Sequence, residues 1–160
     1  MIRGILFEPL DSQGKPVGVA TPYMVAILNI PRLHISSSLP FLVDTGADAT
    51  ILHLRDALQI IGLRDLSMLK ETQQLKGIGG SAEYSIVPAE IVFCHDDNSL
   101  EGFQFDLRVA KPAKSWWKPR QRNIQALQLR LPSLLGRDIL SEFCLVIDYH
   151  RRQLFLDHPS

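Results

Sequence analysis

The chain has 160 residues, 46% of them apolar and 21% charged. That is the make-up of one ordinary globular domain and excludes disordered and fibrous classes; at this length roughly 70% of the unfolded surface is buried on folding. Seventeen basic residues balance seventeen acidic ones, which argues against a globally basic nucleic-acid binder, and no apolar run approaches the ~18 residues of a membrane span.

In chain order, Gly4 to Phe7 and Tyr23 to Asn29 read as strands, joined by the turn-rich Asp11-Ser12-Gln13-Gly14-Lys15-Pro16. The start carries an acid at Glu8 and no long apolar run, so no secretory signal is expected. Leu39 to Val43 reads as a strand that delivers Asp44-Thr45-Gly46. Leu54, Ala57, Leu58 and Ile61 fall at i, i+3, i+4 and i+7 and predict a helix ending at Gly62. Strands resume at Gln74 to Leu75, Tyr84 to Val87, Ala89 to Phe93 and Phe103 to Val109. A short helix over Asp138 to Phe143 precedes strands at Leu145 to Tyr149 and Gln153 to Leu156, joined by a His150-Arg151-Arg152 turn. This pattern predicts a mainly β fold with one or two short helices, built as a single domain over residues 1–160.

Cys94 and Cys144 are too few for a disulfide framework. Each lies in an apolar run, so both are expected as buried, reduced thiols of a cytoplasmic protein. The five histidines show no His-x-x-x-His pair, and His95-Asp96-Asp97-Asn98 reads as a solvated hairpin turn, so no metal is expected. From Leu107 to Arg137 there is no acidic residue but eight basic ones, with Trp116 and Trp117 among them. Basic residues interleaved with aromatics can track a phosphate backbone. The remainder of the chain is net acidic, however, and a surface insertion over about 110–130, with its tryptophans packed down, is the expected form.

The stretch Phe41-Leu42-Val43-Asp44-Thr45-Gly46-Ala47-Asp48 carries chemistry. An apolar strand delivers an aspartate; the hydroxyl and the glycine after it favour a tight turn that holds the carboxylate in place. A fixed carboxylate at the floor of a cleft suits general acid–base work on water. Lys76-Gly77-Ile78-Gly79-Gly80 reads as a hairpin with a glycine-rich tip, able to fold over an extended peptide. It is not a dinucleotide site, because Pro88 and strand formers follow where a helix would be needed. A third segment, Leu134-Leu135-Gly136-Arg137-Asp138-Ile139-Leu140, reads as a strand, a glycine and a helix start.

In this order the three segments resemble the retroviral-type aspartic proteases, the retropepsins, and their cellular relatives. Asp44-Thr45-Gly46-Ala47 matches the family's catalytic block, Gly77-Ile78-Gly79-Gly80 its flap, and Leu134-Leu135-Gly136-Arg137-Asp138 its Gly-Arg-Asp block. The similarity runs from about Pro22 to Leu156, and the helical stretch and the tail look more like stand-alone or retroelement members than compact viral ones. It implies a closed-barrel acid-protease fold, an aspartic endopeptidase cleaving between apolar residues, and no cofactor. Two carboxylates sharing one proton do the chemistry in such enzymes. The sequence holds one Asp-Thr-Gly, so the resemblance implies a C2 homodimer with Asp44 contributed by each subunit.

Further roles follow from the resemblance alone. Thr45 would brace the paired loops, and Gly46 would give the substrate backbone access. Ala47, Asp48, Gly77, Ile78, Gly79 and Gly80 would line the substrate site. Asp48 would pair with Arg137 near the dimer interface, where Arg137 and Asp138 would act structurally. The expected partners are a second copy of the chain and a protein or peptide substrate, with neither membrane nor nucleic acid. The rival reading is a catalytically silent member of the fold, serving as a binding or dimerisation module that contacts nucleic acid through the basic segment.

Overall fold

Alternating apolar residues build most of the molecule. The computed structural model describes residues 1–70, 72–77, 80–112 and 118–159. Its strands are β1 (Ile2–Arg3), β2 (Ile5–Phe7), β3 (Thr21–Ile30), β4 (Ile35–Val43), β5 (Ile51–Leu52), β6 (Thr72–Gly77), β7 (Gly80–Cys94), β8 (Leu100–Ala110), β9 (Leu134–Leu135), β10 (Cys144–Asp148) and β11 (Gln153–Asp157). Its helices are α1 (Leu54–Ile60), α2 (Leu63–Met68), α3 (Pro119–Gln128) and α4 (Arg137–Leu140). The fold is mainly β, as expected, but among the described residues four α-helices replace the expected one or two.

β3 and β4 form a long antiparallel hairpin, from Tyr23 opposite Leu42 to Ile30 opposite Ile35. One face of β3 points Met24, Ala26, Leu28 and Ile30 inward, and β4 answers with Leu39, Phe41 and Val43. These side chains meet Leu52, Ile91, Phe93, Leu107 and Leu135 in a single core. Phe41, Phe93, Leu107 and Leu135 have no exposed surface at all.

Two sheets result. β1, β11 and β10 form a small one; the larger runs β2-β3-β4-β9-β5-β8-β7-β6. β3 also pairs with β7, so hydrogen bonding passes from β3 through β4, β9, β5, β8 and β7 back to β3. Within that circuit β9 lies between β4 and β5, parallel to the first and antiparallel to the second. The connection from β4 to β5 must therefore loop over the end of β9. That connection contains Asp44-Thr45-Gly46.

Pro88 does not divide β7 as the sequence suggests; it stays in register opposite Asp106. On its other edge β7 pairs with β6 up to Ser85 and with β3 from Glu90 onward. Pro88 falls in the gap between those partners, where a missing N–H costs no ladder bond.

Two helices escape the periodicity reading. α2 follows α1 after Gly62, whose φ of 85° lets the chain reverse, and it buries only Leu66. α3 lies in the basic segment with Pro119 in its first turn, a favoured place for proline, and its Ile124 and Leu127 are exposed, so it has no apolar stripe to betray it. Trp116 and Trp117, whose packing the sequence raised, lie outside the described residues. Among those described, no helix is long and apolar enough to cross a membrane.

Both cysteines are exposed, against the expectation of burial. Strand alternation is the reason for Cys94, which follows the inward Phe93 in β7; Cys144 opens β10 as an exposed residue after the buried Phe143. Both thiols should thus react with a thiol reagent without denaturant. A protein that needs unfolding before either thiol reacts would contradict the strand register.

Candidate active site

Val43 ends β4 as a buried residue, and Asp44 opens a turn in which the Ala47 N–H donates to the Asp44 carbonyl at 3.2 Å. The Gly46 N–H donates to Asp44 Oδ1 at 2.9 Å. A glycine suits this position, because a Cβ there would meet the same carboxylate oxygen at 3.2 Å. Asp44 is half-buried, whereas Thr45 and Gly46 are exposed at the turn's tip. The carboxylate is thus oriented by a backbone donor and still open on one side.

Both ends of the turn are tied to the segment around β9. The Asp44 N–H donates to the Leu135 carbonyl at 3.1 Å, and the Arg137 N–H donates to the Ala47 carbonyl at 2.9 Å. Between these bonds lies Gly136, where a Cβ would come within 2.3 Å of the Ala49 carbonyl carbon and 2.8 Å of the Thr50 nitrogen. Only glycine permits that approach.

Thr50 completes the junction and was not singled out in the sequence. It is fully buried; its N–H donates to the Asp138 carboxylate at 2.9 Å, and its hydroxyl donates to Asp138 Oδ1 at 2.7 Å. The same hydroxyl oxygen accepts from the Gly136 N–H at 3.1 Å. Asp138, expected only as a structural residue, thereby anchors the far end of the Asp44 loop. The Asp48 carboxylate and the Arg137 guanidinium form an ion pair, as the resemblance implied. Both side chains are largely exposed, so the pair adds little to stability by itself.

A second buried polar group supports the loop from below. Ser133 accepts from the His53 N–H at 3.1 Å and donates to Asp56 Oδ2 at 2.6 Å, closing the start of α1 through a residue far away in sequence. The Ser133 carbonyl meanwhile accepts from the Leu42 N–H. His53 is itself buried, its ring edge-on to Tyr84. Burial lowers its pKa below the ordinary 6.5, with the Asp56 carboxylate pulling partly in the opposite direction.

The glycine hairpin stands on the outer strand of the large sheet, where Gly77 pairs with Gly80 across its end. Ile78 and Gly79 lie outside the described residues. The structure therefore brings Asp44, Thr45, Gly46, Ala47 and Asp48 together with Arg137 and Asp138. Gly77 and Gly80, of interest to substrate binding, belong to a separate hairpin. Thr50 and Ser133 were missed because an isolated hydroxyl gives no pattern in sequence; their partners are 88 and 77 positions away.

Two outcomes test this geometry. Thr50→Val keeps the shape but strips Asp138 of one donor and the Gly136 N–H of its acceptor. It should lower unfolding stability by about 2 kcal/mol in urea titration, and an unchanged midpoint would contradict the junction. Because folded His53 resists protonation, the unfolded chain takes up the proton first as the pH falls below about 6.5, and stability should decline there. Above that pH the contribution is fully present. His53→Gln should flatten the decline; an identical pH dependence in the variant would assign it elsewhere.

No family model and no curated protein matches the sequence. Among solved structures, the chain is similar to a retropepsin-like aspartic protease from Rickettsia conorii, with 20% sequence identity and a TM-score of 0.52. The alignment covers 99% of this chain and 92% of that one. The chain thus has the fold of a retropepsin-like aspartic protease over its full described length.

Proposed function

We propose that the protein is an aspartic endopeptidase whose active site forms between two copies of the chain. The observation that carries this reading is the half-buried Asp44 carboxylate, held by the Gly46 N–H at the start of a turn clamped at both ends to the Leu135–Arg137 segment. One chain supplies one such carboxylate. Placed about a two-fold axis, two copies bring their Asp44 groups together, and like charges at about 3 Å share a single proton.

The ionised member takes a proton from water as the water oxygen attacks the scissile carbonyl. The protonated member donates to the carbonyl oxygen, which gains charge in the transition state. Collapse of the tetrahedral intermediate breaks the C–N bond and delivers a proton to the leaving amine. Thr45 braces one turn against its counterpart, and Ala47 and Asp48 border the peptide. The β6–β7 hairpin, with Gly77, Ile78, Gly79 and Gly80 at its tip, closes over an extended substrate by main-chain pairing. Arg137 and Asp138 keep the loops in place near the interface. The circuit of strand pairings from β3 round to β7 supports the closed barrel such a site rests on. Two free, exposed thiols suit a reducing compartment, in keeping with a cytoplasmic location. The mechanism calls for no cofactor.

Asp44→Asn retains an oxygen to accept from the Gly46 N–H, so the fold should survive while the dyad loses its ionisable group. Cleavage of a peptide library should fall at least about a thousandfold, and the wild type should show a bell-shaped profile across about pH 4 to 7 that reports a coupled pair. Undiminished turnover by the variant would exclude Asp44 as the catalytic group.

A further inference from the structure

At the opposite end of β7 from the glycine hairpin, the β7–β8 turn and the segment after β11 deliver metal-ligating atoms to one point. His95 begins the turn after β7, where its N–H donates to the Ser99 carbonyl and its carbonyl accepts from the Asn98 N–H. Glu101 lies near the start of β8, and His158 follows β11. His95 Nε2 is 2.8 Å and His158 Nε2 is 3.0 Å from the same atom, Glu101 Oε2. The two imidazoles stack nearly parallel, at 6.1 Å between centroids and 17° between planes. All three ligand atoms fall within 4.8 Å of one another.

We propose that His95, Glu101 and His158 form a zinc site. Two imidazoles and one carboxylate are a donor set that suits Zn²⁺, with water filling the fourth tetrahedral position. Zinc bonds of about 2.0–2.2 Å at tetrahedral angles put nitrogen and oxygen ligands about 3.4 Å apart. The present N–O separations need to open by only about half an ångström to reach that spacing. The surroundings fit as well. His95 and Glu101 are mostly buried, while His158 is half exposed and leaves a side open to water. Phe143 packs its ring at 5.5 Å from that of His158 and, with Phe93 and Phe103, forms an apolar wall.

Each imidazole now faces the carboxylate through Nε2, and binding zinc there leaves the remaining ring proton on Nδ1. The sequence conceals the site because the nearest ligands are six positions apart and the third is 57 further on. Its effect is structural: zinc ties the end of β11, in the small sheet, to the β7–β8 hairpin of the large one, and stabilises the chain by binding the folded form alone.

The full chain, titrated with Zn²⁺ against a chromophoric chelator, should take up one ion per chain. His158→Gln, at an exposed position, and Glu101→Gln, which keeps the side chain's size, should each weaken that uptake at least about tenfold. Zinc should raise the melting temperature of the wild type and of Asp44→Asn alike, but not of the two ligand variants. Failure to saturate at one ion per chain, or equal affinity in wild type and both ligand variants, would overturn the proposal. Loss of binding in Asp44→Asn would do the same by moving the ion to the other site.

Discussion

Gly136 approaches the Ala49–Thr50 backbone so closely that any side chain at that position would overlap it, and everything that positions Asp44 depends on this contact. The approach lets β9 slip between β4 and β5 and lets one hydroxyl, that of Thr50, join the Gly136 N–H to the Asp138 carboxylate. With that knot tied, the Asp44 turn has fixed endpoints: Leu135 on one side and Arg137 on the other. A buried carboxylate–hydroxyl–amide network is favourable only when each member has its partner, and these do. The exposed Asp48–Arg137 pair, the contact most evident from sequence, is by contrast a minor contributor.

What could be read from the sequence was local. Val43-Asp44-Thr45-Gly46 is a strand running into a turn, and adjacent residues suffice to recognise it. The periodic helix at Leu54 to Ile61 is of the same kind. Thr50 and Ser133 were illegible because their value comes from partners brought near only by β9 threading the sheet. The cysteines failed for a different reason: an apolar run signals a strand, but only its register decides which residues face inward. Pro88 reads as a break because one strand seen alone cannot reveal that its unpaired edge falls at that residue. α3 lacks an apolar stripe and buries little, so no periodic signal marks it.

Under the proposed function, acid activity and acid stability pull in opposite directions. A shared-proton dyad favours mildly acidic conditions, while burial of His53 beside the start of α1 makes the fold less stable as histidine titrates. The Ser133–Asp56 bond and the His53 ring sit on the element that follows the Asp44 loop and β5. Loosening there would reach the loop through Ser133, whose carbonyl also holds Leu42 just before Asp44. The two effects together confine the useful pH range from both sides.

The neutral net charge and ordinary length suggest a self-sufficient unit, yet under the proposed function a chain with one Asp-Thr-Gly holds half of the chemistry. The most direct test mixes wild type with Asp44→Asn at fixed total concentration, allows subunits to exchange, and measures peptide cleavage. A dyad shared between subunits makes activity follow the square of the wild-type fraction, so an equal mixture should retain about a quarter of the full rate. A linear decline, with about half the rate remaining in the equal mixture, would mean that each chain works alone and would contradict the shared site.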